Sequence, residues 1–276
     1  MRRQLLMRHL FFGLILAAAP AAHAAADPAL LEQGFRQMYN LQFDQAHQTF
    51  AQYQQLSGDD PLGPVSDAAA WLFAEFDRLH ILQSELFIDD DTFNHRSKPH
   101  ADPAVKQKFE AALAKSQQLS DRILAHSPHD QNATFAVVLR MGLHADYLAM
   151  IEKRSLAALS EMKVGRAMAE SLVASDPKYA DAYLAIGVEN YLLSLKAAPI
   201  RWVLHLGGAQ TDAQVGIQKL KLTAANGRYL RPYARLLLAV AALRAKDRAG
   251  AKELLSGLMR EFPANHLYAE ELARLK

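Results

Sequence analysis

The sequence predicts an all-α protein, a right-handed superhelical array of antiparallel helix pairs with about eleven helices. Three observations predict this fold. Apolar residues recur at helical spacing along most of the 276-residue chain, and 51% of the residues are hydrophobic, with much Ala. The stretch from Ala180 to Asn265 repeats aromatic, small and bulky residues with a period of roughly 34 residues. Turns that contain Pro separate the apolar segments.

The first 24 residues predict a cleavable secretory signal peptide, with an uncleaved amphipathic tail as the alternative. Three Arg precede an apolar run from Leu10 to Ala19, and A-x-A cleavage sites occur at 22–24 and 24–26. We expect a soluble periplasmic or secreted protein with no transmembrane segment after cleavage, because the apolar run is shorter than the roughly 20 residues that span a bilayer. The chain contains no Cys, which excludes a lipoprotein anchor, disulfides and thiolate chemistry.

The charge of the chain is close to balanced. Lys and Arg number 31 against 29 Asp and Glu, and three of these cations lie in the first 24 residues. The remainder therefore carries 28 cations against 29 anions. This balance gives no indication of nucleic-acid binding.

The segment 27–63 predicts an N-terminal helix pair. Asp27-Pro28 places an N-cap residue before a Pro at the first helical position. Helices are predicted over 29–40 and 43–56. Gly34 and Ala46 would let the two helices approach closely.

The segment 66–175 predicts helices longer than those of a standard repeat. Turn residues, Gly63-Pro64 among them, precede a helix from residue 66 to about 88. The polar segment 89–102 reads as an exposed loop. Asp102-Pro103 then starts a helix to His126, and two further helices are predicted over 131–151 and 156–175.

The segment 176–276 predicts the C-terminal repeats. Pro177 and Pro263 lie 86 residues apart, about 18 more than two periods of roughly 34. The surplus falls in the segment 196–210, which we interpret as an insert with a short amphipathic helix from Ile200 to Leu206. Residues 266–276 would form a capping helix.

The block from Lys153 to Asn265 resembles a group of exported bacterial tetratricopeptide repeat (TPR) proteins. The shared features are the Lys-Arg pair at 153–154, D-P-x-Y-x-D-A-Y-L-x-x-G-x-x-N-Y at 176–191, the hydrophobic insert at 199–208 and a block at 220–229. Thr211-Asp212 departs from the Gly-Asp expected after the insert. The resemblance implies a periplasmic helical-repeat protein with no assigned enzymatic activity.

In a TPR array, the first helix of each pair lines the concave face. That register predicts an apolar lining, which suits an amphipathic helix, an extended peptide or an apolar ligand. The alternative is that the insert or the long middle helices fill this groove internally. The predicted lining residues are Leu31, Phe35, Met38, Tyr39, Leu184, Val188, Tyr191 and Leu192.

The two Trp residues of the chain are interpreted differently. Trp71 lies on an apolar stripe and is interpreted as a core residue. Trp202 lies in the insert beside Arg201, and this pair either packs against the array or presents an aromatic and cationic surface to a ligand. Arg201 and Trp202 therefore join the lining residues as predicted binding residues.

No strong catalytic motif occurs in the sequence, so we expect neither an enzyme nor a bound cofactor or metal. The best metal-ligand candidates are in a loop that we interpret as solvated: Asp89, Asp90, Asp91, His95, His100 and Asp102. His126 and His129 are interpreted as polar turn residues.

The predicted function is a non-enzymatic periplasmic scaffold that mediates protein-protein interaction through its apolar concave face. The alternative is a transporter-associated binder of a small apolar ligand or lipid in the same groove.

Overall fold

The computed structural model describes residues 28–82 and 97–275. Within these residues the chain forms twelve α-helices and no strand, which confirms the predicted all-α class. The helices α1 to α12 span Pro28–Tyr39, Phe43–Leu56, Leu62–Arg78, Pro103–His126, Gln131–Met150, Ser155–Ser175, Tyr183–Ser194, Ala198–Leu206, Ala213–Asn226, Arg231–Arg244, Arg248–Glu261 and His266–Arg274. A 3-10 turn at Ala180–Ala182 leads into α7. The predicted signal peptide lies outside the described residues.

The helices pack in chain order, as in an α-solenoid. Each helix contacts the next one along the chain, except that α7 packs directly on α9 and the insert helix α8 lies outside this series. The middle helices α4, α5 and α6 have 24, 20 and 21 residues, and are therefore longer than the others, as predicted. The right-handed winding of the array stays a prediction.

Asp side chains start several of these helices where the sequence predicts a start. The carboxylate of Asp102 accepts hydrogen bonds from the backbone N–H groups of Ala104 and Val105 at the beginning of α4. Asp130 does the same for Ala133 in α5. These caps satisfy N–H groups that have no acceptor within the helix.

Helix α3 differs from its prediction at both ends. It begins at Leu62, so Gly63-Pro64 lies in its first turn and not in the preceding turn. Pro is tolerated there because first-turn N–H groups make no intrahelical hydrogen bond. The helix ends at Arg78 and not near residue 88, because His80 adopts a positive φ of 54°. A left-handed residue of this kind terminates a helix.

Two glycines allow α7 and α9 to pack closely. A Cβ at Gly187 would lie 2.9 Å from Cγ of Leu220, and a Cβ at Gly216 would lie 2.6 Å from the backbone nitrogen of Tyr191. Any larger residue at either position would force the helices apart. These are the small positions that the repeat register predicts.

Candidate functional site

The predicted concave-face residues of α1 lie in the interior of the protein. Leu31, Phe35 and Tyr39 are 1%, 3% and 7% exposed. The ring centroid of Phe35 lies 5.3 Å from that of Tyr229, and the ring centroid of Tyr39 lies 5.6 Å from that of Phe262. These side chains are covered by the C-terminal part of the chain, so they offer no open lining at which a partner could bind.

The predicted lining residues of α7 are mostly interior as well. Leu184 and Tyr191 are buried, as is Met38 on α1. Val188 packs partly buried against the core, and Leu192 is 37% exposed. The structure therefore shows no open apolar groove at the buried positions, and the binding role of these residues stays a prediction. The aromatic contacts to Phe35 and Tyr39 described above come from Tyr229 and Phe262. These two residues belong neither to the insert nor to the middle helices.

Hydrogen bonds join the first helix pair to the C-terminal helices. The hydroxyl of Tyr39 donates to the carbonyl of Tyr229 at 3.1 Å, and the amide of Asn265 donates to the carbonyl of Tyr39 at 2.9 Å. The backbone N–H of Ala264 donates to the side chain of Asn40 at 3.1 Å. Asn265 and Tyr39 lie 226 residues apart in sequence. Local sequence patterns carry no signal for contacts of this separation.

The insert helix α8 leaves its apolar side chains uncovered. None of its residues is buried. Ile200, Trp202, Val203 and Leu206 are 52%, 66%, 61% and 68% exposed. At 100° per residue these four side chains fall within one half of the helix circumference. An exposed apolar surface of this kind marks an interaction site more often than an isolated exposed Leu does.

The opposite side of α8 is less exposed, with Arg201 and Leu204 half-buried. The guanidinium of Arg201 donates to the carbonyls of Lys196 and Ser194, at 2.8 and 3.4 Å. Arg201 and Trp202 are the two binding residues predicted in the insert. Arg201 connects the helix to the backbone that precedes it, and Trp202 projects into solvent. This arrangement separates the aromatic group from the cation beside it in sequence.

A buried polar network holds the C-terminal end of the insert. Glu189, which is 0% exposed, accepts hydrogen bonds from the backbone N–H of Gln210 at 3.0 Å and from Arg166 at 3.1 Å. Asn190 donates to the side chain of Gln210 at 2.8 Å and accepts from the backbone N–H of Asp212 at 3.2 Å. Sequence reasoning missed the role of this network, although Asn190 belongs to the N-Y pair of the shared motif.

The surroundings of α8 are cationic. No Asp or Glu occurs between Asn190 and Thr211, whereas Lys196, Arg201 and His205 all lie in this interval. Lys163 of α6 adds a further cation, because its ammonium group donates to the carbonyl of Gly207. In the described part of the chain, Lys163, Lys196 and Arg201 form no ion pair with a carboxylate.

A groove of about 640 Å³ lies next to this helix, between α4, α5 and α6. Its lining includes Lys163 and Arg166, which donate to the carbonyls of Gly207 and Gly208 at the end of α8. Val164, 44% exposed, lies on the same groove. The groove therefore lies close to the C-terminal end of α8.

The candidate metal loop is described only in part. Asp89, Asp90, Asp91 and His95 lie outside the described residues. Asp102 is the N-cap of α4, and the carbonyl of His100 accepts a hydrogen bond from Arg78 at 2.8 Å. Within residues 28–82 and 97–275, no group of three His, Asp or Glu side chains is placed to hold a metal ion. The ring of His126 bonds to its own helix, and His129 is exposed.

Trp71 lies partly buried in a polar cluster on α2 and α3. Nδ1 of His47 and a carboxylate oxygen of Asp67 are 2.6 Å apart, and the indole of Trp71 donates to Asp67 at 3.2 Å. The rings of His47 and Trp71 stack at 3.8 Å, and Lys108 lies over the indole. In a catalytic Asp-His pair, the second ring nitrogen of His faces the nucleophile that it activates. In the described residues, Nε2 of His47 has no hydrogen-bond partner, so no nucleophile is placed there.

Across the two described ranges, none of the helices combines the length and the hydropathy that crossing a bilayer requires. Comparisons of the chain with known protein families, with curated proteins and with solved structures each found no match. The likeness to exported TPR proteins therefore rests on the motifs in the sequence and stays a prediction.

Proposed function

We propose that this chain is a non-enzymatic binding scaffold of the TPR type that is exported from the cytoplasm. One observation carries the binding role. Helix α8 exposes Ile200, Trp202, Val203 and Leu206, while hydrogen bonds attach the residues that follow it to the packed array. Because most of the predicted concave lining is buried, we propose that α8 is the docking element of the scaffold.

The polar anchoring of the insert supports a docking role. Glu189 and Asn190 bond to Gln210 and Asp212, and Arg201 connects α8 to the backbone that precedes it. An apolar helix that is free to rotate would turn its hydrophobic side chains inward. These hydrogen bonds hold α8 with its apolar face toward solvent. They also present that face in one orientation, which lowers the entropic cost of binding.

Protein is the first partner class, because helical-repeat arrays imply protein-protein interaction and an exposed apolar helix can dock in a groove of a partner. Lipid is the second class, and the charge around α8 favours it. Cations without carboxylate partners lie in α8 and next to both of its ends, which matches an anionic surface. A periplasmic location follows from the predicted leader and belongs to the same proposal.

Photocrosslinking in intact cells tests the docking role. We expect a benzophenone amino acid at position 202 to form adducts with a protein or a lipid, because the side chain would lie in the contact. The same amino acid at Leu56, which is 49% exposed on α2, is the matched control and should give far fewer adducts. Equal and low adduct yields at 202, 206 and 56 would exclude α8 as the docking element.

A further inference from the structure

We propose that α8 docks onto the surface of an anionic phospholipid bilayer, parallel to the membrane plane and with its apolar face toward the acyl chains. This inference rests on the proposed docking role of α8 and names what the helix docks onto. It concerns attachment at the interface and involves no span of the membrane.

The apolar face has the side chains that an interfacial helix uses. Trp202 projects outward with Val203 and Leu206, and each of the three is more than 60% exposed. An indole prefers the headgroup region, because its ring is apolar and its N–H can still meet water or phosphate. Aliphatic neighbours on the same face then enter the boundary of the acyl chains.

The charges next to this face fit lipid phosphates. Lys196 precedes the helix and Arg201 lies within it, in a stretch of 20 residues that contains no carboxylate, from Tyr191 to Gln210. Lys163 reaches the same end of α8 from α6. Across the described ranges none of these three cations is neutralised by an ion pair, so their positive charge attracts an anionic surface, and Lys196 is the exposed one of the pair in the stretch. A basic polar side with an apolar opposite side is the pattern of a membrane-surface helix.

The size of α8 argues against a second copy of the chain as the occupant. Nine residues form a helix about 14 Å long, and one side of it covers on the order of 200 Å². A stable protein interface buries about 800 Å² on each partner. A bilayer requires no complementary surface, because lipids rearrange around a few inserted side chains. The exposed face is therefore large enough for peripheral membrane attachment and small for a dimer.

Vesicle binding tests this proposal. The purified full chain is mixed with vesicles of equal parts phosphatidylglycerol and phosphatidylcholine, or of phosphatidylcholine alone, and bound protein is separated by flotation. We expect binding to the anionic vesicles to be about tenfold stronger or more, and to weaken at 1 M salt, where the screening length falls to about 3 Å.

Variants connect the binding to α8. The pair Trp202→Ser and Leu206→Ser should reduce binding by about tenfold or more, and Lys196→Glu should reduce the preference for anionic vesicles. Leu56→Ser removes an exposed Leu on α2 and should bind like the wild type. Circular dichroism should be unchanged in all variants, since these side chains are not buried. Brominated phosphatidylglycerol should quench the fluorescence of Trp202, and this quenching should be lost in Trp202→Phe.

Two results would overturn the proposal. One is equal binding of the wild type and the Trp202 and Leu206 variants to anionic vesicles, and the other is no binding even at low salt. If vesicles are not bound while position 202 crosslinks to a protein in cells, the lipid partner is wrong and the docking role of α8 stands. If neither vesicles nor crosslinks are found, the docking role itself fails.

Discussion

Asp146 on α5 is an acidic side chain in an unfavourable environment. Burial raises the pKa of its carboxyl group to about 7, and a hydrogen bond from the hydroxyl of Tyr233, with an oxygen separation of 3.5 Å, lowers it in part. Because the pKa in the folded state lies above the usual value of 3.8, the folded protein holds a proton that the unfolded chain releases between these values. The stability of the fold therefore falls as the pH rises from 4 to 7.

Replacing Asp146 by Asn tests this pH dependence. Asn has nearly the same shape and carries no charge at any pH, so the variant avoids the cost of burying a carboxylate. We expect the two proteins to have similar unfolding free energies at pH 4, and the variant to be more stable by about 2 to 4 kcal/mol at pH 8. Urea unfolding at both pH values measures this difference. An identical stability difference at pH 4 and pH 8 would contradict the raised pKa.

At the scale of helices, the sequence predicts most of the structure because local chemistry decides it. Helix α4 covers the predicted residues from Pro103 to His126, since Asp102 caps its start. The prediction fails at the end of α3, because a positive φ at His80 leaves no compositional signal. The amphipathic pattern predicts helix α8. It does not predict that the apolar face of α8 is exposed, because periodicity does not show whether that face points toward the core or toward solvent. The network around Glu189 fixes only the position of Gln210, which follows the helix.

The contact between α7 and α9 gives a prediction at the same scale. Gly187→Leu should destabilise the protein by about 1 to 3 kcal/mol, because a side chain there meets both the backbone and the side chain of Leu220. Gly257→Leu on α11 is the control, because no atom lies within 4 Å of a Cβ at that position. Thermal unfolding should show a lower Tm for the first variant only. An unchanged Tm for Gly187→Leu would show that α7 and α9 do not pack as described.

For the whole molecule, the main departure from the sequence prediction is the contact between the two ends of the array. The repeat pattern predicts helix pairs and their neighbours, but it contains no information on how far the array curves. Curvature brings α1 against residues from 229 to 265, and the aromatic side chains that line a groove in an open array become core here. The predicted binding residues on α1 are therefore buried core residues in this structure, and their role in binding stays a prediction.

Contact between the ends of the array should let a substitution in the last helices destabilise the first helix. In an open solenoid each repeat contacts only its neighbours. A destabilising substitution in the last helix pair therefore leaves the first helix pair unaffected. Here Phe262 packs on Tyr39 and lies under the guanidinium of Arg36, both on α1. We therefore expect Phe262→Ala to increase hydrogen exchange in α1 as well as in α10 to α12, because it removes a contact between the ends and leaves a cavity.

Leu255→Ala is the matched control for this prediction. Leu255 is equally buried on α11, at 2% exposed, and none of the ring contacts to α1 involves it. Both variants should lose about 2 to 5 kcal/mol of stability. Exchange measured by mass spectrometry at matched stability should then separate them, with α1 less protected in Phe262→Ala than in Leu255→Ala. Equal protection of α1 in the two variants would contradict a specific coupling of the ends through Phe262, since the loss would then reflect global stability alone.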